Sequence, residues 1–302
     1  MLTALLVPLA LAALVTLYAL IRAAVRRHML APNPEAVVLG AITNFFDTLG
    51  IGSFAPTMAW FKFRKLVPDR LIPCTLLPAH GLPAMMQSAI YLVLLGVLVD
   101  PILLFGCVIA FALGVLIGAP LVARTKVWVV QLIVAFALAI AATFYALGNL
   151  GLMPAGGTAA SLPPLLMIVA IAANFLFGIL INFGVGHYAP SLVLLSLMGM
   201  DPRLCFPIMA TAGALAAPGA MLRHIAIGEI DLRIVIGVTL GGVPAVLAAA
   251  FLVQSMPVEL LRWLVIVVVL YAAAVMLRAS LLGRRGAAEP LTCAPDEAPA
   301  GA

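Results

Sequence analysis

The sequence predicts an all-α polytopic membrane protein in which two inverted repeats, each with a Gly/Pro-broken re-entrant hairpin, follow one extra N-terminal helix. Three observations carry this expectation. Of 302 residues, 65% are apolar and only 9% are charged, whereas a soluble domain carries roughly a quarter charged residues. A glycine-rich break followed by proline occurs twice without a gap, 134 residues apart, at 50–56 and 184–190. The basic residues fall in short clusters between apolar runs, as they do in cytoplasmic loops of membrane proteins.

This composition excludes a soluble enzyme, a secreted module and a nucleic-acid binder. The formal net charge of +5 forms no stripe that could follow a nucleic-acid groove. Cys74, Cys107, Cys205 and Cys293 show no C-x-x-C spacing, and three of them lie inside apolar runs, so neither a zinc site nor a disulfide framework is indicated. No cofactor is called for.

At ~20 apolar residues per span, the first span covers about 2–21. Arg22, Arg26 and Arg27 follow it instead of preceding it, which marks a retained helix and not a cleaved leader. The stretch 36–61 is apolar but interrupted at Gly50-Ile51-Gly52-Ser53-Phe54-Ala55-Pro56. Full spans are then expected at 71–99, 101–122 and 127–148. A second interrupted stretch, 164–199, contains Gly184-Val185-Gly186-His187-Tyr188-Ala189-Pro190, and spans follow at 203–222, 234–253 and 258–277. From Gly283 on, the chain is rich in Gly, Ala, Pro and acidic residues and reads as a disordered tail.

The offset of 134 residues also pairs Pro68 with Pro202 and Pro73 with Pro207. Further along, Gly118-Ala119-Pro120 resembles Gly242-Val243-Pro244, and Asp100 resembles Asp231. The organisation is therefore an N-terminal helix with a basic loop (1–35), a first repeat (36–148), an outer linker (149–163), a second repeat (164–282) and the tail (283–302).

Charge placement decides how the broken stretches cross the bilayer. If both span, the 16 basic residues divide evenly between the two sides. If both are re-entrant, only Arg203 and Arg262 of the 16 lie outside, and the positive-inside rule is satisfied best. The first hairpin then opens to the cytoplasm and the second to the outer face, so the repeats are inverted and the C-terminus is cytoplasmic.

Inverted repeats with interrupted helices are how many secondary transporters build a site near the midplane, where non-helical backbone is tolerated only around a protein-lined cavity. Glycines 50, 52, 184 and 186 permit the turn, and Pro56 and Pro190 suit the first turn of a returning half-helix, where a missing N–H costs nothing. Two converging helix N-termini, each with roughly half a positive charge, would hold a small oxyanion without a buried Lys or Arg. The substrate-binding candidates are Asn44, Gly50, Gly52, Ser53, Thr57, Asn182, Gly184, Gly186, His187 and Ser191. Thr75, Gln87, Asn174 and Thr211 belong to the same polar cluster. Each such side chain could instead satisfy a carbonyl freed in a kinked helix.

Asp47, His80 and His187 are ionisable groups placed deep in apolar sequence, costly enough there to be functional by default. They are the proton-coupling candidates. His187 lies inside the second break, where a protonated imidazole would attract an anion and a neutral one would release it. Asp69, Arg70, Asp201 and Arg203 follow the hairpins and suit helix ends.

The two breaks, with Gly228 and Asp231 as a Gly-x-x-Asp motif before a later helix, resemble the TauE/SafE family of sulfite exporters over about 36–280. The resemblance implies a multi-pass carrier of the bacterial inner membrane for sulfite, a sulfonate or a related organic anion. The family's further glycines are replaced here by Ser53-Phe54 and His187-Tyr188, which narrows the cavity. The expected partners are a small anion and the lipid bilayer, with a homodimer permitted and nucleic acid excluded. The alternatives are an intramembrane enzyme, for which no HExxH or GxSxG motif is present, and a structural or assembly membrane protein.

Overall fold

The computed structural model describes residues 2–68, 71–118, 121, 125–152, 157–183, 185–227 and 230–284. Among these residues there is no β-strand, only an isolated bridge between Ala159 and Met200. The helices are α1 (Thr3–Arg26), α2 (Pro34–Thr48), α3 (Phe54–Arg64), α4 (Ile72–Leu94), α5 (Pro101–Gly118), α6 (Val127–Asn149), α7 (Pro164–Ile181), α8 (Tyr188–Leu197), α9 (Pro202–Ala216), α10 (Pro218–Ile227), α11 (Leu232–Ser255) and α12 (Val258–Arg284). The expected tail falls almost wholly outside the described residues, as do Asp69, Arg70 and Gly228.

Several helix starts follow from local chemistry. Asn33 precedes Pro34 and accepts from the Ala36 N–H at 3.1 Å. Asp201 precedes Pro202 and accepts from the Arg203 N–H, and Asp231 accepts from the Arg233 N–H, both at 2.9 Å. These are N-caps, and proline after the cap loses nothing because the first helical N–H has no intrahelical partner.

Seven helices among the described residues are long and apolar enough to cross a membrane: α1, α5, α6, α7, the α9–α10 pair, α11 and α12. Their outward faces carry exposed Leu11, Ile109, Phe136, Leu165, Phe251 and Val267, the surface that hydrocarbon would cover. Three elements differ from expectation. α4, in the stretch 71–99 expected to span, is not among the seven. α7 has 18 residues and qualifies as a span in its own right, since the break falls late in the stretch. The segment read as one helix over 203–222 bends at Ala217, because Pro218 has no N–H to donate and its ring crowds the preceding turn.

Helix pairing is reciprocal. α2 packs on α11 and α5 on α7, while α4 meets α9 and α6 meets α12. Small residues set the tight crossings. A Cβ on Gly241 would stand 1.8 Å from the Val37 carbonyl oxygen, and one on Gly114 would stand 2.1 Å from that of Phe175. Such close backbone approach replaces hydrophobic drive where lipid is the solvent.

In each broken stretch, residues at or just beyond the two ends are in contact. Arg64, at the end of α3, makes an ion pair of 2.8 Å with Glu35 in the first turn of α2, and the Trp60 indole N–H donates to the same carboxylate at 3.0 Å. In the second stretch, Ala159 before α7 accepts from the Asp201 N–H and donates to the Gly199 carbonyl after α8, at 3.0 and 3.1 Å. The loops sort into two ends. Asp100, Ala160, Ser161, Gly157, Arg262, Arg203 and Met256 are joined by hydrogen bonds at one. Elsewhere Arg27 bonds the Ile225 carbonyl and the Asn33 N–H bonds that of Arg233. Cys107 and Cys205 are free and buried, but Cys74 is disulfide-bonded, a link that cysteine spacing did not announce.

Candidate functional site

The first break begins where α2 ends in a Schellman-type turn. The Ile51 N–H donates to the Phe46 carbonyl at 3.0 Å and the Gly50 N–H to that of Asp47 at 2.8 Å. Gly50 and Gly52 have φ of +96° and +89°, the left-handed region that glycine enters without steric cost. α3 then starts from Ser53, whose carbonyl accepts from the Thr57 N–H at 3.1 Å. The N–H groups of Phe54 and Ala55 therefore precede the first intrahelical bond, and Pro56 has none to offer.

The second break repeats this register. Val185 N–H to Leu180 carbonyl, at 3.4 Å, and Ser191 N–H to His187 carbonyl, at 3.0 Å, lie 134 residues beyond the Ile51–Phe46 and Thr57–Ser53 bonds. The first break also approaches α8: a Cβ on Gly50 would stand 3.7 Å from Leu192 of that helix, 3.6 Å from Val268 and 3.9 Å from Phe206.

Around the first break the polar side chains form one directed chain. Asn44 donates its Nδ2–H to the Gly40 carbonyl at 2.8 Å, leaving Oδ1 to accept from His80 Nδ1–H at 3.0 Å. His80 Nε2 then accepts from the Thr57 hydroxyl, also at 3.0 Å. All three residues are buried. The chain ties α2, α4 and α3 together, and Phe54 lies against the imidazole with ring centroids 5.6 Å apart. Asp47, also buried, accepts from the Ser53 N–H at 2.7 Å, so one N–H at the head of α3 already faces a carboxylate of the chain itself.

The second copy is simpler. Ser191 stands where Thr57 stands and donates directly to Asn174 Oδ1 at 3.3 Å, while Asn174 Nδ2 donates to the Ala170 carbonyl at 2.9 Å. His187 heads α8, and its Nε2–H donates to the Met209 carbonyl at 2.9 Å. The imidazole lies 2.8 Å from where a Cβ on Gly213 would stand and packs on Phe111 with centroids 4.5 Å apart. Phe54 and His187 thus fill space beside the two breaks.

Of the residues expected at the site, Asn44, Asp47, Gly50, Gly52, Ser53, Thr57 and His80 are brought together at the first break, and His187 and Ser191 stand at the second. Asn182 is used otherwise. Its Nδ2 lies 3.2 Å from each of the Val115, Gly178 and Ile179 carbonyls, clasping the end of α7 to α5. Gly186 is exposed, has ordinary φ and has nothing near its missing Cβ. Gly184 lies outside the described residues. Sequence reasoning passed over Tyr91, which donates to the Thr48 carbonyl at 2.8 Å and stacks on Phe206. Its signal was its place on the face of α4 that carries His80, eleven residues earlier. Ser88, which donates to Thr211 at 3.0 Å across the α4–α9 contact, gave no such signal.

Comparison with known proteins bears on the second half of the chain. Residues 165–301 match the sulfite exporter TauE/SafE family. No curated protein and no solved structure matches the chain. The TauE/SafE match begins at the start of α7 and takes in the second break, α9, α11 and α12. The seven long apolar helices make the chain a multi-pass membrane protein, and the match makes its second half similar to the sulfite exporter TauE/SafE family.

Proposed function

We propose that the protein is a secondary transporter of a small anion, sulfite or a sulfonate or related organic anion, held between two broken hairpins near the middle of the bilayer. The observation that carries this reading is the repeated break: two half-helix N-termini, α3 and α8, begin with the same hydrogen-bond register inside an apolar bundle. Free N–H groups and the positive dipole ends attract an oxyanion without a buried Lys or Arg. The TauE/SafE match supplies the substrate class.

The meeting ends of each broken stretch, Glu35 with Arg64 and Ala159 with Gly199 and Asp201, support re-entrant hairpins. The reciprocal helix pairs support two repeats related by pseudo-symmetry, whose relative movement would alternate access. The grouping of Arg203 and Arg262 at one end supports an outer face there, with Lys62, Lys65 and the C-terminal end on the cytoplasmic side of a bacterial inner membrane. Asp47, His80 and His187 remain the groups through which a proton gradient would couple.

The test is labelled-sulfite flux into liposomes carrying the purified protein, with and without an imposed pH gradient. Protein-dependent flux that grows with the gradient is expected. Absence of flux for sulfite, sulfonates and carboxylates alike would refute the reading.

A further inference from the structure

Gln87 is 1% exposed, yet neither its Oε1 nor its Nε2 has a hydrogen-bond partner. The large majority of buried side-chain polar atoms in native proteins are paired, and a stranded amide is costly in hydrocarbon. Its surroundings make the omission specific. His80, seven residues earlier on the same face of α4, is bonded at both ring nitrogens. Tyr91, four residues later, bonds the last carbonyl of α2, and the adjacent Ser88 bonds Thr211. Gln87 therefore stands between two side chains anchored to either flank of the first break. It also lies beside Tyr188 at the head of α8, near the Tyr188 hydroxyl but without hydrogen-bond geometry.

An amide empty at both ends asks for a ligand that both accepts and donates. A sulfonate or a fully deprotonated oxyanion has acceptors only and would leave Oε1 stranded. An oxyanion retaining one proton satisfies both ends, its O–H donating to Oε1 and another of its oxygens accepting from Nε2–H. We propose that Gln87 is a direct ligand of the transported anion and selects a singly protonated oxyanion of the hydrogensulfite type over a sulfonate. This rests on the transporter reading above and narrows its substrate class.

The experiment compares wild type with Gln87→Met, which keeps the volume and removes both polar ends. In liposomes the wild type should move sulfite in preference to methanesulfonate by on the order of tenfold, and the ratio should fall towards one in the variant. Without anion, the detergent-purified variant should melt higher than wild type, since a stranded amide has gone. A variant that melts lower, or an unchanged flux ratio, would overturn the inference. If wild type moves neither anion, the transporter reading fails separately. A sulfite-induced rise in wild-type melting temperature that Gln87→Met abolishes would still keep Gln87 as an anion ligand, and its absence would overturn that too.

Discussion

The chain Thr57–His80–Asn44 can be tested as a unit. Thr57→Val is nearly isosteric and leaves His80 Nε2 without a donor. His80→Leu strands both the Asn44 Oδ1 and the Thr57 hydroxyl, which are 3.0 Å from the ring nitrogens. A buried group left unpaired costs about 1–3 kcal/mol, so Thr57→Val should cost about 1 kcal/mol and His80→Leu about twice that. In the double variant the Thr57 hydroxyl is gone and is no longer stranded, so the combined cost falls below the sum. Interhelical hydrogen bonds in membrane proteins couple by about 0.6 kcal/mol on average and up to about 1.7 kcal/mol. A coupling in that range is expected, measured by reversible unfolding in mixed micelles. Additivity within about 0.3–0.5 kcal/mol, the scatter of independent sites, would refute the chain.

Three further outcomes follow. Gly50→Ala and Gly52→Ala should each cost about 1–2 kcal/mol, the penalty for a side chain in left-handed backbone, whereas Gly186→Ala, with ordinary φ and open space, should be close to neutral; equal effects in thermal unfolding would contradict the geometry. Gly241→Leu, whose Cβ alone would sit 1.8 Å from the Val37 carbonyl oxygen, should part α2 from α11 and abolish folded yield on size exclusion, while Gly219→Leu in open space should not. Arg64 holds the Glu35 carboxyl below its ordinary range, so the contribution of that pair is present in full above that range and is lost as pH falls through the lowered value; Trp60, bonded to the same carboxylate, should report the change by fluorescence, and Glu35→Gln should remove it.

How far these features are legible in the sequence depends on their range. The two breaks share local chemistry, which is why a gapless offset in the letters reappears as a gapless offset in their hydrogen bonds. The contact between the ends of the first broken stretch could not be read in advance: Glu35 and Arg64 are 29 residues apart in sequence. Asn182 shows the opposite difficulty. It stands next to a break and has the right chemistry, yet α7 runs on far enough that its amide is spent on carbonyls at the helix end. Gln87 was one polar residue among several until its neighbours proved to be paired and it did not.

The two histidines are not equivalent once their partners are known. From sequence, His187 is a candidate for proton coupling because it lies inside a break. Its Nε2–H is committed to the Met209 carbonyl, and its ring is wedged between Gly213 and Phe111. A second proton would have to be housed on Nδ1 without movement of the ring. At His80 the partner of Nε2 is a hydroxyl, which donates to a neutral imidazole and accepts from a charged one by rotating about a single bond. Asn44 Oδ1 accepts from Nδ1–H in either state. His80 can therefore change charge while every hydrogen bond in the chain is kept, and the helix that bears Thr57 is the one whose N-terminus faces the break. On the transporter reading, a proton taken up at His80 reorients Thr57 and is felt along α3, which makes His80 and not His187 the better placed of the two to link protonation to the anion.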